Sequence, residues 1–187
     1  KTVLEENVWR DAGSHYELEG PFQGITIPQS LQGSLLARLD RLDPRAKQIA
    51  QIGAAIGREF SWNLLRLVAP AEEEALDTGL DQLISAEIVR LVRQPTGAGR
   101  AFAFRHALIQ DAAYQSLLLA HRRQYHAAIA QALINEFPDT QPELLAQHLT
   151  SGDHIEPAIA AWRSAGNNAM KRGAFGGAKS NVFLGVA

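Results

Sequence analysis

The side chains with most scope for chemistry in this sequence are its histidines, and His106 above all. It sits where an alternating stretch, Ala101 to Phe104, gives way to a helical one. There Leu108, Ile109, Ala112, Ala113, Ser116 and Leu117 recur at the spacing of one helix face. The first turn of a helix presents unpaired N–H groups and a partial positive charge, so such a junction suits an anion such as a phosphate. An imidazole adds one more donor, and Arg105 precedes it. Two readings stand: a junction histidine that bonds its own backbone, or one that faces a ligand.

Other histidine arrangements carry less. His121 and His126 are five residues apart, so one helix does not bring them to a common face. His148 and His154 flank a turn that also holds Asp153, without metal-ligand spacing. A phosphate-cradling loop needs G-x-x-x-x-G-K-[ST], and none of Lys1, Lys47, Lys171 and Lys179 follows a glycine. Neither H-E-x-x-H nor G-x-S-x-G occurs. The run Glu72-Glu73-Glu74 stands at a helix start, where carboxylates complement the helix dipole. The expectation is a chain with no catalytic residues, no metal ligands and no enzyme activity of its own.

Composition agrees with a non-membrane globular piece. Of 187 residues, 46% are hydrophobic and 20% charged, and a net charge of −2 gives no general attraction to nucleic acid or acidic lipid. With no cysteine, disulfide and thiolate chemistry are excluded. No apolar run reaches the roughly 18 residues that span a bilayer, and the first residues lack an apolar signal core. A cytoplasmic setting is expected. The chain begins at Lys1 and ends within an apparent helix, NVFLGVA, and reads as a piece of a longer protein.

The elements that must position His106 follow from the pattern. A hairpin is expected with its turn near Gly13, then a helix from about Gln29 to Leu42. Asp43 and Pro44 start a helix to Ile56 that Gly57 closes. Ser61 caps a short helix to Val68, and a third runs from Glu72 to Ser85. Ile88–Val92 and Ala101–Phe104 are expected strands around a 94–99 turn. Three helices and a two-stranded wing make the winged-helix order. Beyond it, helices are expected over 108–119, 121–136, 142–149 and 157–172. Trp162, Gly166, Gly173, Phe175 and Ala178 fall at the spacing of a tetratricopeptide-like hairpin. The expected fold is mainly α. It divides into 1–42 (the end of a preceding helical region and a linker helix), 43–105 (the winged helix) and 106–187 (a helical arm leading into repeats).

A winged helix invites a DNA-binding reading, with Arg90, Arg93 and Arg100 on the wing as candidate backbone contacts. The third helix opposes it. It carries Glu72, Glu73, Glu74, Asp77 and Asp81 and no basic residue, and phosphate neutralisation supplies most non-specific affinity.

Several stretches together resemble one family: IPQSLQGSLLARLDRLDPRAKQIAQIGAAIGREF (27–60), ALDTGLDQLISAEIVR (75–90), FRHALIQDAAYQSLLLAHRRQYHAAIAQAL (104–133) and PELLAQHLTSGDHIEPAIAAWRSAG (142–166). The chain resembles the region after the ATPase core in signal-transduction ATPases with numerous domains, the STAND class. It is most similar to that region of bacterial multidomain adenylate/guanylate cyclases carrying an ATPase. The resemblance implies a winged helix acting as a lid on an NTPase core, followed by helical repeats. Relatives in that class carry a Met-His-Asp motif whose histidine contacts the β-phosphate of ADP. Arg105-His106-Ala107 falls at the comparable place, with Arg for Met and Ala for Asp, so only His106 carries over, with Arg105 beside it. The implied role is nucleotide sensing within the parent. The resemblance puts ADP or ATP with Mg in the absent core and no cofactor in this chain. It implies as partners the core and an output domain of the same protein, and a protein or small-molecule ligand on the repeats. The alternatives are a DNA-binding regulator domain and a helical interaction scaffold.

Overall fold

The computed structural model describes residues 9–11, 16–18, 37–92 and 99–171. Strand β1 (Trp9–Asp11) pairs antiparallel with β2 (Tyr16–Leu18), the hairpin expected around Gly13. Residues 37–40 are helical, ending two residues before the expected Leu42, and positions 29–36 of the expected helix lie outside the described residues. The 94–98 turn, Arg93 and the repeat positions Gly173, Phe175 and Ala178 also lie outside them.

Helix α1 (Pro44–Ile56) starts as its sequence dictates. The Asp43 carboxylate accepts from the Arg45 N–H at 2.9 Å, and Pro44, which has no N–H to leave unpaired, fills the first position. Ala46, Ile49, Ala50, Ile52, Gly53 and Ile56 are buried because α1 is wrapped by helices from both sides. Ser61 accepts from the Leu64 N–H at 3.2 Å and so caps α2 (Trp62–Val68). Helix α3 (Glu73–Ser85) buries Leu76, Leu80 and Leu83, with Gly79 against α1.

The expected two-stranded wing is corrected to a three-stranded antiparallel sheet. Strand β3 (Glu59–Ser61), between α1 and α2, pairs with β5 (Ala101–Phe104), which also pairs with β4 (Val89–Val92), giving the order β3-β5-β4. Three residues are too few to show an alternating pattern, which is why β3 is silent in the sequence. Its one apolar residue, Phe60, is 5.8 Å centroid to centroid from both Phe102 and Phe104.

Helices α4 (Ala107–Gln115) and α5 (Leu119–Glu136) are separated earlier than the apolar run SLLLA suggests. The last carbonyls of α4 find partners off the helix axis. Arg122 donates to the Gln115 and Leu117 carbonyls at 2.9 and 3.1 Å, and Ser116 Oγ donates to the Ala113 carbonyl at 2.7 Å. Helix α6 (Pro142–Ser151) and α7 (Ile155–Lys171) are the last described elements and form an adjacent pair. Trp162 Nε1 of α7 donates to Thr150 Oγ1 of α6 at 3.1 Å. Among the described residues no helix is long and apolar enough to cross a membrane.

The buried side chains form two clusters. The larger joins α1, α2, α3 and the sheet to Ile109, Ala112 and Ala113 of α4 and Ile129, Ala132 and Leu133 of α5. It therefore continues across residue 106. The smaller packs Ala130 of α5 against α6 and α7. Helix α5 is covered from two sides, so it has no single apolar stripe.

Two turns carry testable costs. The end of α3 closes with the Ile88 N–H bonded to the Leu83 carbonyl at 2.9 Å, which forces Glu87 into the left-handed region at φ 56°. Glu87→Gly removes that strain and is expected to raise stability by about 0.5–1 kcal/mol, measured by urea unfolding. Gly152 is constrained by space: a Cβ there would lie 2.9 Å from the Ala127 backbone N of α5. Gly152→Ala pushes two backbones apart and is expected to cost about 1–3 kcal/mol in the same assay.

Candidate functional site

The central strand β5 delivers the chain to His106. The Arg105 N–H donates to the Ile88 carbonyl at 3.0 Å, extending the β4 pairing by one residue. His106 then takes extended backbone angles (φ −135°, ψ 138°) as the N-cap of α4, and its carbonyl accepts from Ile109 and Gln110. Backbone alone fixes the junction. The imidazole is exposed and makes no capping hydrogen bond, so the reading in which it bonds its own backbone is corrected. Arg105 is exposed beside it, its guanidinium 4.0 Å from Glu87 Oε1. The site is thus an open helix start carrying one imidazole, with an arginine held at its edge by a carboxylate. It can donate hydrogen bonds to an anion approaching from outside.

Of the wing arginines, Arg90 and Arg100 lie among the described residues, and they are held differently. Arg100 is taken up internally: it donates to Asp77 Oδ1 at 2.6 Å and lies over the Trp62 ring at 5.1 Å. Trp62 Nε1 donates to the same Asp77 oxygen at 2.7 Å, and Arg66 covers the ring at 5.6 Å. Partial burial pushes the Asp77 carboxyl up, but the hydrogen bonds from Arg100 and Trp62 and the Arg100 charge together hold it below the usual carboxylate range. This cluster ties α2 and α3 to the wing. Arg90 is exposed on β4, on the sheet face it shares with Glu59.

The sequence-level search missed a buried pair. His126 Nδ1 of α5 and His148 Nδ1 of α6 are 2.8 Å apart, and Tyr114 Oη of α4 is 2.9 Å from His126 Nε2. His126 and His148 are the buried polar residues of the described chain. One proton must lie between the two Nδ1 atoms, so at least one imidazole has its hydrogen there. If His126 donates to His148, its Nε2 accepts from Tyr114. If His148 donates, His126 Nε2 donates to the Tyr114 oxygen. Either arrangement satisfies the whole row. A signal existed in the sequence, since His126 falls on the stripe of Ile129 and Leu133. His148 likewise lies beside Leu145 and Leu149.

As the spacing indicates, neither histidine is paired with the histidine nearest it along the chain. His121 and His154 are exposed, and Asp153 lies 3.6 Å from Arg123. Among the described residues no group of three or more His, Cys, Asp or Glu is placed to hold a metal ion.

No family model matches the chain. An uncharacterized protein of Rhizobium meliloti (strain 1021) is 29% identical over 152 residues, which covers 78% of this chain and 14% of that protein. The chain therefore spans a small part of the length of the curated relative it matches. No solved structure matches.

Burial pushes the His126 imidazole down. Burial, with the His126 charge second, brings His148 from 6.5 to about 4. The unfolded chain then takes up protons before the folded one. The contribution of His148 is complete above about pH 6.5 and is lost as pH falls toward 4, by roughly 3 kcal/mol in all. His148→Gln keeps a hydrogen-bonding partner for His126 but does not titrate. Urea unfolding at pH 7 and pH 5 is expected to show a loss of about 2 kcal/mol from His148 in the native chain that is missing in this variant, leaving only the share of His126.

Proposed function

We propose that this chain is the lid and helical arm of a larger NTP-driven signalling protein, and is itself non-catalytic. The observation that carries the reading is His106, exposed and without a capping bond at the start of α4, directly after the central strand. Supporting it, the order α1-β3-α2-α3-β4-β5 with the sheet β3-β5-β4 is compatible with a winged helix. The α6–α7 pair suits the first hairpin of a tetratricopeptide-like array. The alignment with a short part of a much longer relative fits a regulatory segment inside a multidomain chain. A DNA-reading role fits less well: α3 exposes Glu73, Glu74 and Asp81, and Arg100 is already engaged by Asp77.

In the proposed cycle, ADP sits in an NTPase core outside this chain and His106 donates to its phosphate, holding the lid closed. Exchange for ATP, or a ligand on the helical repeats, releases it toward an output unit, on the family resemblance a nucleotide cyclase. A hydrogen bond to a charged group contributes about 1.5–3 kcal/mol. Carrying a two-state switch from 1:99 to 99:1 takes about 5.5 kcal/mol. His106 therefore biases the switch, and packing between lid and core supplies the remainder.

His106→Ala in the full-length parent separates this role from a structural one. The exposed, uncapped imidazole predicts a stability change within about 0.5 kcal/mol. Nucleotide released from the purified protein is expected to show ADP retained by the wild type and reduced several-fold in the variant. Equal ADP in both would leave His106 as a junction residue only.

A further inference from the structure

The row Tyr114–His126–His148 has no part in the junction at His106, and its geometry limits the protons it can carry. Uncharged, one Nδ1 donates to the other across 2.8 Å. A first added proton fits. His126 then donates from Nδ1 to His148 and from Nε2 to Tyr114 Oη, 2.9 Å away. A second does not fit: it sets N–H against N–H at the Nδ1 contact, with two cations side by side and away from water.

The surroundings do not compensate. Burial lowers both imidazoles and the His126 charge lowers His148 further, with no carboxylate acting the other way. From α4 the pair meets Tyr114, whose ring lies under the Arg122 guanidinium at 4.9 Å, a further cation. His121 and Arg123 of α5 are exposed, as are Asp153 and His154 after α6. Glu143, five residues before His148, lies on another face of α6. The charges of α7, Glu156, Arg163 and Lys171, are exposed. From α2 comes only Arg66, paired with Glu73. On α1, Arg45 is exposed and Lys47 pairs with Asp40, and it is the uncharged Gln48 that reaches α5, at Tyr125.

What the row joins is otherwise lightly held. Helices α6 and α7 make one unit: Ala158, Ala161, Trp162 and Ala165 close on Ala146 and Leu149, and Trp162 bonds Thr150. Helix α5 adds Ala130 to that cluster, and α6 adds half-buried Leu145 to the edge of the larger one. At Gly152 the crossing is made without a side chain. The Arg123–Asp153 pair at 3.6 Å is exposed and worth little. The connection, residues 137–141, is short and non-helical, with one turn bond from the Thr140 N–H to the Phe137 carbonyl at 3.0 Å.

We propose that the His126–His148 contact is an acid-released latch: when both imidazoles are protonated, α6 and α7 swing off α5 as one unit about residues 137–141, and the rest of the fold stays closed. The larger cluster has no titratable buried member, so acid leaves it intact. Opening gives both imidazoles to water and takes up as many as two protons. Its equilibrium constant therefore rises by up to about a hundredfold per unit fall in pH between about 6.5 and 4. The latch needs no nucleotide and is independent of the role of His106.

The chain has no cysteine, so spin labels can be placed at chosen pairs. Asn63→Cys on α2 with Ala160→Cys on α7, both exposed, spans the latch; Asn63→Cys with Gln131→Cys on α5 does not. Double electron–electron resonance at pH 7 and at about pH 4.5 is expected to show a second, longer distance at acid for the first pair and no change for the second. His148→Gln keeps a hydrogen-bonding partner but takes no proton, and is expected to lower the ratio of open to closed at least tenfold. His126→Gln is the mirror variant and should act alike. Asp153→Asn should open as the native chain does; loss of opening there would assign the response to the surface pair and overturn the proposal. So would a first pair that acid leaves unchanged, two pairs that lengthen together as in global unfolding, or opening within about twofold of the native chain in the glutamine variants.

Discussion

The packing of Phe60 against Phe102 and Phe104, stacked on the first and tilted to the second, is the contact on which the rest of the fold depends. It places β3 beside β5 and makes β5 the middle strand, with Ala101, Phe102, Ala103 and Phe104 all buried. The same Phe60 ring lies 2.9 Å from where a Cβ of Gly53 would be, so α1 seats directly on the aromatic face only because residue 53 has no side chain. A one-residue slip of β5 would exchange two phenylalanines for two alanines on that face. The register of the sheet, the seat of α1 and the point at which α4 departs are therefore set together. His106 inherits its position from this packing and contributes nothing to it.

The parts of this arrangement that were legible in the sequence are those with local causes. Asp43-Pro44 and Ser61 announce helix starts through bonds made within three residues. The spacing of Leu76, Leu80 and Leu83 reports a buried helix face before any partner is known. The position of His106 at a strand-to-helix junction was readable for the same reason. What was not legible has distant causes. Strand β3 exists because β5, some forty residues later, offers it an edge. The break after Gln115 is decided by the reach of Arg122 and by Gln51 of α1, which donates to Ser116 Oγ at 2.8 Å. Within the candidate sites, Arg100 was read as a free wing cation because its partner, Asp77, belongs to another element. His126 and His148 were tested against neighbours along the chain, while each is satisfied by the other across two helices.

The two hydrophobic clusters give α5 a particular mechanical place. It lends Ile129 and Leu133 to the larger cluster and Ala130 to the smaller, and half-buried Leu145 touches both. Between them runs the polar row Tyr114–His126–His148, linking α4, α5 and α6 in turn. Hydrogen bonds demand direction where apolar contacts only demand proximity. The row therefore fixes the rotation of α6 about its axis relative to α5. The tight crossing at Gly152 fixes their separation.

Helix α4 then connects the two ends of the molecule that matter to the proposed switch. It is nine residues long, about 13 Å at 1.5 Å per residue, and carries no proline or glycine to bend it. His106 occupies the residue before its first turn and Tyr114 stands on its last, already bonded to the histidine pair. Ser116, just past its end, is held by Gln51 of α1. A pull on the imidazole along the helix axis cannot be absorbed by flexing α4. It must shift the last turn against α1, or shift the histidine row and with it α6 and α7. On the proposed reading this is the route by which a bond of a few kcal/mol at a phosphate reaches the helical arm. It needs no relay of charge, because a short rigid helix with a directional contact at each end transmits displacement directly.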